Sequence, residues 1–329
     1  MQQMNCNTLL SALARADSVL LLCHVSPDGD ALGSVLALRG LLKAMGKTVR
    51  VMVDGEVPSK LSFLPEVNEF LVPENTPFTP TDLAVAVDVS CLERLGSGIA
   101  HFKHAKQTAC IDHHYTNDGF ADVNLIDGNQ PATAILIGKL FEVAQIPLSQ
   151  ADAICLYTAL STDTGNFMYE SVNSDAFLLM AKLMEAQLPL AKYCNILFRE
   201  REEIFLRVLR YALSTLQVLD DGRVAGMVLT RVQMDEVGAN AGHLDGIVNY
   251  AIDIEGVGLG YFLRETLDGK IKGSLRAIAP YRVDEVAISL GGGGHQLACG
   301  FTLDMPLKEA EKKVQLALIE ARKKIDEKQ

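Results

Sequence analysis

The sequence predicts an α/β protein in two parts: an N-terminal doubly wound, mainly parallel sheet, joined by a helical linker to a smaller α/β domain with a mixed sheet. Three observations predict it. The 329 residues suffice for about two domains at roughly 150 residues each, with a hydrophobic core in both. Through the first half, short apolar runs alternate with stretches of helical periodicity, the pattern of a parallel sheet wrapped by helices. Beyond residue 215 the texture changes to strand-like runs joined by a tight turn. The boundaries implied are 1–190 for the first domain, 191–215 for the linker and 216–329 for the second domain.

The elements follow in order. Val19 to His24 is an apolar run expected as a buried strand, and Ser26 to Asp30 is a turn. Ala31 to Met45 carries apolar residues at 32, 35, 36, 38, 41, 42 and 45, the spacing of an amphipathic helix, with Gly46 placed to cap its end. Thr48 to Val53, Leu83 to Asp88 and Thr108 to Asp112 are the next three strands. Ala132 to Ala144, Ala151 to Leu160 and Ser174 to Gln187 read as helices, and Pro189 closes the first half. Lys192 to Leu219 reads as one long, charge-dotted helical stretch suited to a linker. In the second half Gly222 to Thr230, Val257 to Glu265 and Lys270 to Ala277 are strands, with Leu267 to Lys270 the hairpin turn between the last two. Helices are expected near 283–290 and 306–325.

Composition narrows the function. Apolar residues make up 49% and charged residues 22%, which excludes a disordered or fibrous chain. A net charge of −11, from 30 basic and 41 acidic residues, argues against a coat for long nucleic acids or anionic membranes. A small anionic substrate held by a few local charges remains compatible with it. The start shows no secretory pattern and no run approaches about 18 apolar residues, so a cytoplasmic protein without membrane partners is expected. The seven cysteines are scattered with no C-x-x-C, and are expected as buried thiols without disulfides or a zinc site.

The residues that carry chemistry fall after strands, where open α/β sheets bind ligands. The first strand runs into His24-x3-Asp28-x-Asp30, the third ends in Asp88, the fourth in Asp112-His113-His114, and Asp163 follows a helical run. Each alone has an ordinary structural explanation, such as a turn or helix cap for Asp28 and Asp30. Together they place carboxylates and imidazoles on one sheet edge, where they repel or desolvate one another unless cations neutralise them. Two His and four Asp suit a pair of divalent metals sharing a carboxylate. Such mixed ligation favours Mn²⁺, with Mg²⁺, Co²⁺ or Fe²⁺ as rivals. Paired metals are a standard device for phosphoryl hydrolysis.

These residues resemble the DHH phosphoesterase superfamily. Gly273-Ser274-Leu275-Arg276, Gly291-Gly292-Gly293-Gly294-His295 and Ala298 to Phe301 are similar to its DHH-associated C-terminal domain. The resemblance covers nearly the whole chain, and within the superfamily is greatest to the stand-alone oligoribonuclease and pAp phosphatase type. It implies that His24, Asp28 and Asp88 hold one metal, and that Asp30, Asp88, His113 and Asp163 hold the other, with Asp88 bridging. It implies a catalytic role for His114 at the scissile phosphate, binding it or assisting the leaving oxygen, and a supporting role for Asp112. Ser274, Arg276, Gly292, Gly293, Gly294 and His295 would grip a nucleotide, the glycines by close backbone approach and Arg276 by a bidentate clamp.

The expected activity is metal-dependent hydrolysis of very short RNA oligonucleotides to 5′-mononucleotides, with 3′-phosphoadenosine 5′-phosphate phosphatase activity as a companion. The alternatives are a phosphodiesterase for linear or cyclic dinucleotides (pApA, pGpG, cyclic di-AMP) and a non-catalytic nucleotide- or short-RNA-binding module. The resemblance also makes a homodimer an expectation.

Overall fold

The protein is described by a computed structural model over residues 2–327. The chain divides into two compact units, Met1–Glu200 and Arg201–Gln329.

In the first unit, α1 (Gln2–Arg15) leads into β1 (Ser18–Leu22), α2 (Gly29–Ala44) and β2 (Thr48–Met52). Then come β3 (Leu83–Val87), α3 (Ile99–His104), β4 (Gln107–Asp112) and β5 (Val123–Ile126). Four helices follow: α4 (Thr133–Val143), α5 (Gln150–Asp163), α6 (Ser174–Glu185) and α7 (Leu190–Cys194). The strand order is β2-β1-β3-β4-β5 and every pairing is parallel.

Alternation along β1 sends Val19 and Leu21 into a core with α1, α2, α4 and α5. Leu20 and Leu22 go to the other face, against Ala84, Ala86, Cys110 and Phe102 of α3. Both faces are covered, so the sheet is doubly wound as expected. The chain goes outward from β1 to β2 and returns to the other side of β1 as β3. The crevice beyond the ends of β1 and β3 is therefore the switch point where such sheets bind ligands. The expected cap of α2 is present: Gly46 has φ 76°, and Gly46 and Lys47 donate to the carbonyls of Lys43 and Leu42, the paired bonds of a Schellman ending.

Four segments depart from the sequence reading. Helices α1 and α3 and strand β5 form where the local pattern is mixed, and each is held by packing on the sheet. The stretch 192–219 is not one helix. A π turn (Asn195–Arg199) follows α7, Glu200 turns extended at φ −66° and ψ 131°, and α8 (Glu203–Ser214) then begins a new helix. Residues Gln217–Leu219 leave the helix to pair with the next strand, a tertiary contact overriding local periodicity. The cysteines also differ in part: five are buried, but Cys91 is exposed and Cys194 half-buried, and all seven are free.

The second unit starts with α8, then β6 (Gln217–Leu219), β7 (Val224–Leu229), α9 (Arg231–Glu236) and α10 (Asn249–Ile252). It continues with β8 (Leu259–Glu265), β9 (Ile271–Ala277), α11 (Asp284–Ser289), β10 (Gly293–His295), β11 (Ala298–Leu303) and α12 (Leu307–Asp326). The order is β10-β11-β9-β8-β7-β6, mixed because β7 and β8 alone run parallel. One face packs on α11 and α12, the other on α8 to α10. Along β9 the residues Ile271, Gly273, Leu275 and Ala277 are buried, which turns Lys272, Ser274 and Arg276 to the opposite face. Among the described residues no helix is long and apolar enough to cross a membrane.

Candidate metal centre

The centre is assembled at the carboxyl ends of β1, β3 and β4. Leu22 ends β1, and His24 stands two residues further on, buried. Asp28 is both a helix cap and a site residue. Its Oδ1 accepts from Ala31 N at 3.0 Å, as an N-cap should, and stands 3.7 Å from His24 Nε2. Asp30, in the first turn of α2, is 1% exposed and accepts from Thr133 N at 2.6 Å, Ala134 N at 3.2 Å and Ser34 Oγ at 2.9 Å. Helix α4 has Ala132 at its N-cap and no side-chain cap of its own. Asp30 supplies that acceptor, and the positive end of α4 favours its charge.

Asp88 comes directly after β3 with φ 60°, a left-handed conformation that Asp tolerates better than most residues. This bend turns a carboxylate that is 2% exposed into the site. Its two oxygens face two imidazoles: Oδ2 is 3.7 Å from His24 Nε2, and Oδ1 is 3.7 Å from His113 Nε2. Thr133 Oγ1 holds the second oxygen at 2.9 Å. Asp163 closes α5, and its Oδ2 lies 3.1 Å from His113 Nε2, with Asp30 Oδ2 at 3.8 Å from the same nitrogen.

The ring nitrogens decide what this can do. His24 donates Nδ1–H to Val25 O at 2.9 Å, and His113 donates Nδ1–H to Gln130 O at 3.0 Å. In each ring Nε2 is thereby left to face carboxylate oxygens, the usual arrangement of a metal-binding imidazole fixed by its other nitrogen. Ligand atoms of His24, Asp28 and Asp88 lie within 4.8 Å of one another, as do those of Asp30, His113 and Asp163.

Electrostatics agree. Burial, with the charges of Asp88 and Asp163 added, pushes Asp30 well above the ordinary carboxylate range. Burial and then the Asp28 charge do the same to Asp88. Burial opposes the imidazolium of His113, but the Asp163 hydrogen bond and the carboxylates of Asp30 and Asp88 outweigh it and raise its pKa. These carboxylates resist being charged together, and hard divalent cations are the partners that relieve them. The residues present therefore fit a metal centre.

His114 belongs to the same edge but differs in connection. Its Nδ1 is 2.7 Å from Asp112 Oδ1 and only 3.9 Å from Asp88 Oδ1, so Asp112 takes its N–H. Asp112 is fully buried, and Asn117 Nδ2 donates to its other oxygen at 2.8 Å. That leaves His114 Nε2 available on a side chain 42% exposed.

All six proposed ligands come together, with Asp112 and His114 beside them. Ser274, Arg276, Gly292, Gly293, Gly294 and His295 lie in the second unit, grouped among themselves. Arg276 pairs in register with Ala298, and Ala298 with His295. The glycine run is a turn at Gly291 followed by an edge strand. A Cβ at Gly294 would sit 2.5 Å from Ala298 O, so a side chain there would break the pairing. The sequence reading missed Thr133, Gln130 and Asn117, which orient the ligands. It also missed Arg94, an exposed side chain whose Nη2 is 3.2 Å from His24 Nδ1. The one visible signal was Thr133, at the start of a helix with no capping residue before it.

The chain is also similar to known proteins over most of its length. Residues 18–160 match the "DHH family, N-terminal domain" and residues 223–327 match the "DHHA1 domain". A bifunctional oligoribonuclease and PAP phosphatase NrnA of Thermus thermophilus is 32% identical over 284 residues, covering 85% of this chain and 82% of that protein. A probable bifunctional oligoribonuclease and PAP phosphatase NrnA of Streptococcus mutans is 24% identical, covering 89% and 92%. Among solved structures, an exopolyphosphatase-related protein of Bacteroides fragilis superposes with a TM-score of 0.87 at 27% identity, covering 96% of each chain.

Proposed function

The chain belongs to the DHH family, and from that premise we propose that it is a two-metal phosphodiesterase degrading very short RNA oligonucleotides to 5′-mononucleotides, with a phosphatase activity on 3′-phosphoadenosine 5′-phosphate. One observation carries the reading. Asp88 turns one oxygen to His24 and the other to His113, a geometry in which a single carboxylate would serve two adjacent ligand sets. His24, Asp28 and Asp88 would hold one cation; Asp30, Asp88, His113 and Asp163 would hold the other. Carboxylate with imidazole ligation favours Mn²⁺, with Mg²⁺, Co²⁺ or Fe²⁺ as rivals. When bound, such a pair supplies Lewis-acid charge to the phosphoryl group and acidifies water in the site.

The chain's own residues do the rest. Thr133 and the α4 amides hold Asp30 and Asp88 in place. Asp112 keeps His114 in the tautomer whose Nε2 can meet the scissile phosphate or its leaving oxygen. In the second unit, Arg276, Ser274, His295 and Gly292 to Gly294 would bind the nucleotide. The identities of the Thermus and Streptococcus relatives support short RNA and pAp as the substrates to test first.

The test is a panel of RNA di- to pentanucleotides, pAp, pApA, pGpG and cyclic di-AMP, assayed with Mn²⁺ and with Mg²⁺. Fastest turnover of the short RNAs with 5′-mononucleotide products is expected. Faster turnover of cyclic or linear signalling dinucleotides would replace the substrate. Tight binding without product would replace the enzyme with a binding module. Asp88→Ala should abolish turnover, and activity that survived it would end the two-metal assignment.

A further inference from the structure

The second unit holds a basic cavity apart from the glycine run and Arg276. It has a volume of about 300 Å³, and its lining includes Phe262, Arg264, Lys272, Ser274 and Asp245. Arg264 and Lys272 are register partners across β8 and β9, and Phe262 pairs with Ser274 in the next position. Two cations thus stand directly opposite each other on one face of an antiparallel pair, an arrangement that destabilises a sheet unless an anion lies between them. Among the described residues, neither the Arg264 nor the Lys272 side chain forms a hydrogen bond or an ion pair. Arg264 is half-buried, and burial disfavours its charge; Asp245 relieves this, and Arg231 adds to it. Asp245 is exposed and its charge is screened by water.

The proposed nucleotide grip lies at the far end of the same strand. Lys272, Ser274 and Arg276 alternate along β9, so Lys272 and Arg276 are about 13 Å apart at ~3.3 Å per residue. We propose that the Arg264–Lys272 cavity is a second phosphate subsite, which takes a phosphate group of a nucleotide whose other end is held near Arg276 and His295. The site suits a nucleotide with two phosphates or a 5′-phosphorylated oligomer rather than one with a single phosphate. The guanidinium supplies a planar fork and the ammonium a point charge, and Ser274 adds a hydroxyl. This rests on the reading of the chain as a nucleotide phosphodiesterase and adds to it a preference for the extra phosphate.

The experiment uses the full chain in EDTA, titrated by calorimetry with adenosine 3′,5′-bisphosphate, with AMP and with inorganic phosphate. The wild type should bind the bisphosphate at least ten-fold more tightly than AMP. Lys272→Ala, an exposed position that should fold normally, should bring that ratio near one, and Lys272→Arg should largely keep it. An unchanged ratio in Lys272→Ala, or no preference in the wild type, overturns the subsite. Inorganic phosphate bound as tightly as the bisphosphate, and through Lys272, overturns the nucleotide in favour of a free-anion site. In Mn²⁺, the same variant should lower kcat/KM for pApA relative to ApA by about ten-fold, mainly through KM. If the wild type hydrolyses no short RNA while the binding ratio still depends on Lys272, the proposed function fails and the subsite stands.

Discussion

At the scale of residues, the chemistry depends on which nitrogen of each imidazole is occupied. His24 and His113 spend Nδ1 on backbone carbonyls, whereas His114 spends it on Asp112. On the proposed function the first pair would serve as ligands, and the third would be held for the substrate. Burial opposes the charge of Asp112, yet hydrogen bonds from His114 and Asn117 outweigh it and hold its carboxyl below the usual range. Asp112→Asn keeps the shape but loses the charge and one of the two acceptor oxygens, so its single carbonyl cannot serve both His114 and Asn117. On the proposed function it should lower kcat by about 10²-fold or more, the size of a misplaced acid–base group. Metal content, read by elemental analysis, should stay at the wild-type value. A variant that lost metal in proportion to activity would show Asp112 to be a ligand and the division between His113 and His114 to be wrong.

At the scale of elements, the site depends on how closely α2 approaches α5, because Asp28 and Asp30 start the first helix and Asp163 ends the second. Gly29 and Gly33 permit the approach. A Cβ at Gly33 would collide with Cys155 O and lie 2.9 Å from Ala159 Cβ, and one at Gly29 would lie 2.6 Å from Thr162 Cγ2. A backbone carbonyl cannot swing aside, so Gly33→Ala must push the helices apart. The expected cost is about 1–3 kcal/mol, typical of overpacking. Mn²⁺ affinity should weaken with it, because the Asp30–Asp163 pair opens. Melting curves in EDTA and in Mn²⁺ read both effects, and an unchanged affinity beside a lowered melting temperature would separate packing from the site. These elements also show what could be read from the sequence. The helices α2 and α5 were legible from apolar spacing, and the proposed ligands from acids placed after apolar strands. The contact between the helices was not, since Gly-x3-Gly says only that a close neighbour is allowed. The donors to Asp30 were equally hidden: they are main-chain amides of α4, whose direction is set by packing far along the chain. The strand Gln217–Leu219 escaped for a related reason, as pairing with β7 outranks the helical periodicity that precedes it.

At the scale of the molecule, the net charge of −11 bears on stability as well as on partners, because several of its carboxylates converge on one buried place. An Asp whose pKa is higher in the folded chain than in the unfolded one holds its proton longer when folded. The folded state then binds more protons, and stability falls as pH rises between the two values. For Asp88 that window runs from about 4, the unfolded value, up to about 7, and Asp30 shifts in the same direction. His24 and His113 are also raised in the folded chain, so their contribution is present below about 6.5 and fades as pH rises through their folded values. Asp28 and Asp112, held low, act oppositely, and their stabilisation is lost only below about 4. The metal-free protein should therefore grow less stable from about pH 4.5 to 8. Metal binding requires the deprotonated carboxylates, so it must release protons and must gain strength over the same range. The rise in melting temperature caused by Mn²⁺ should increase with pH across that interval, and calorimetry in buffers of different ionisation enthalpy should detect proton release near neutrality. Asp88→Asn, which cannot ionise, should flatten the metal-free pH dependence and nearly abolish the Mn²⁺ shift. A shift that is constant or shrinks from pH 5 to 8 would mean that the cations bind elsewhere than on these buried carboxylates.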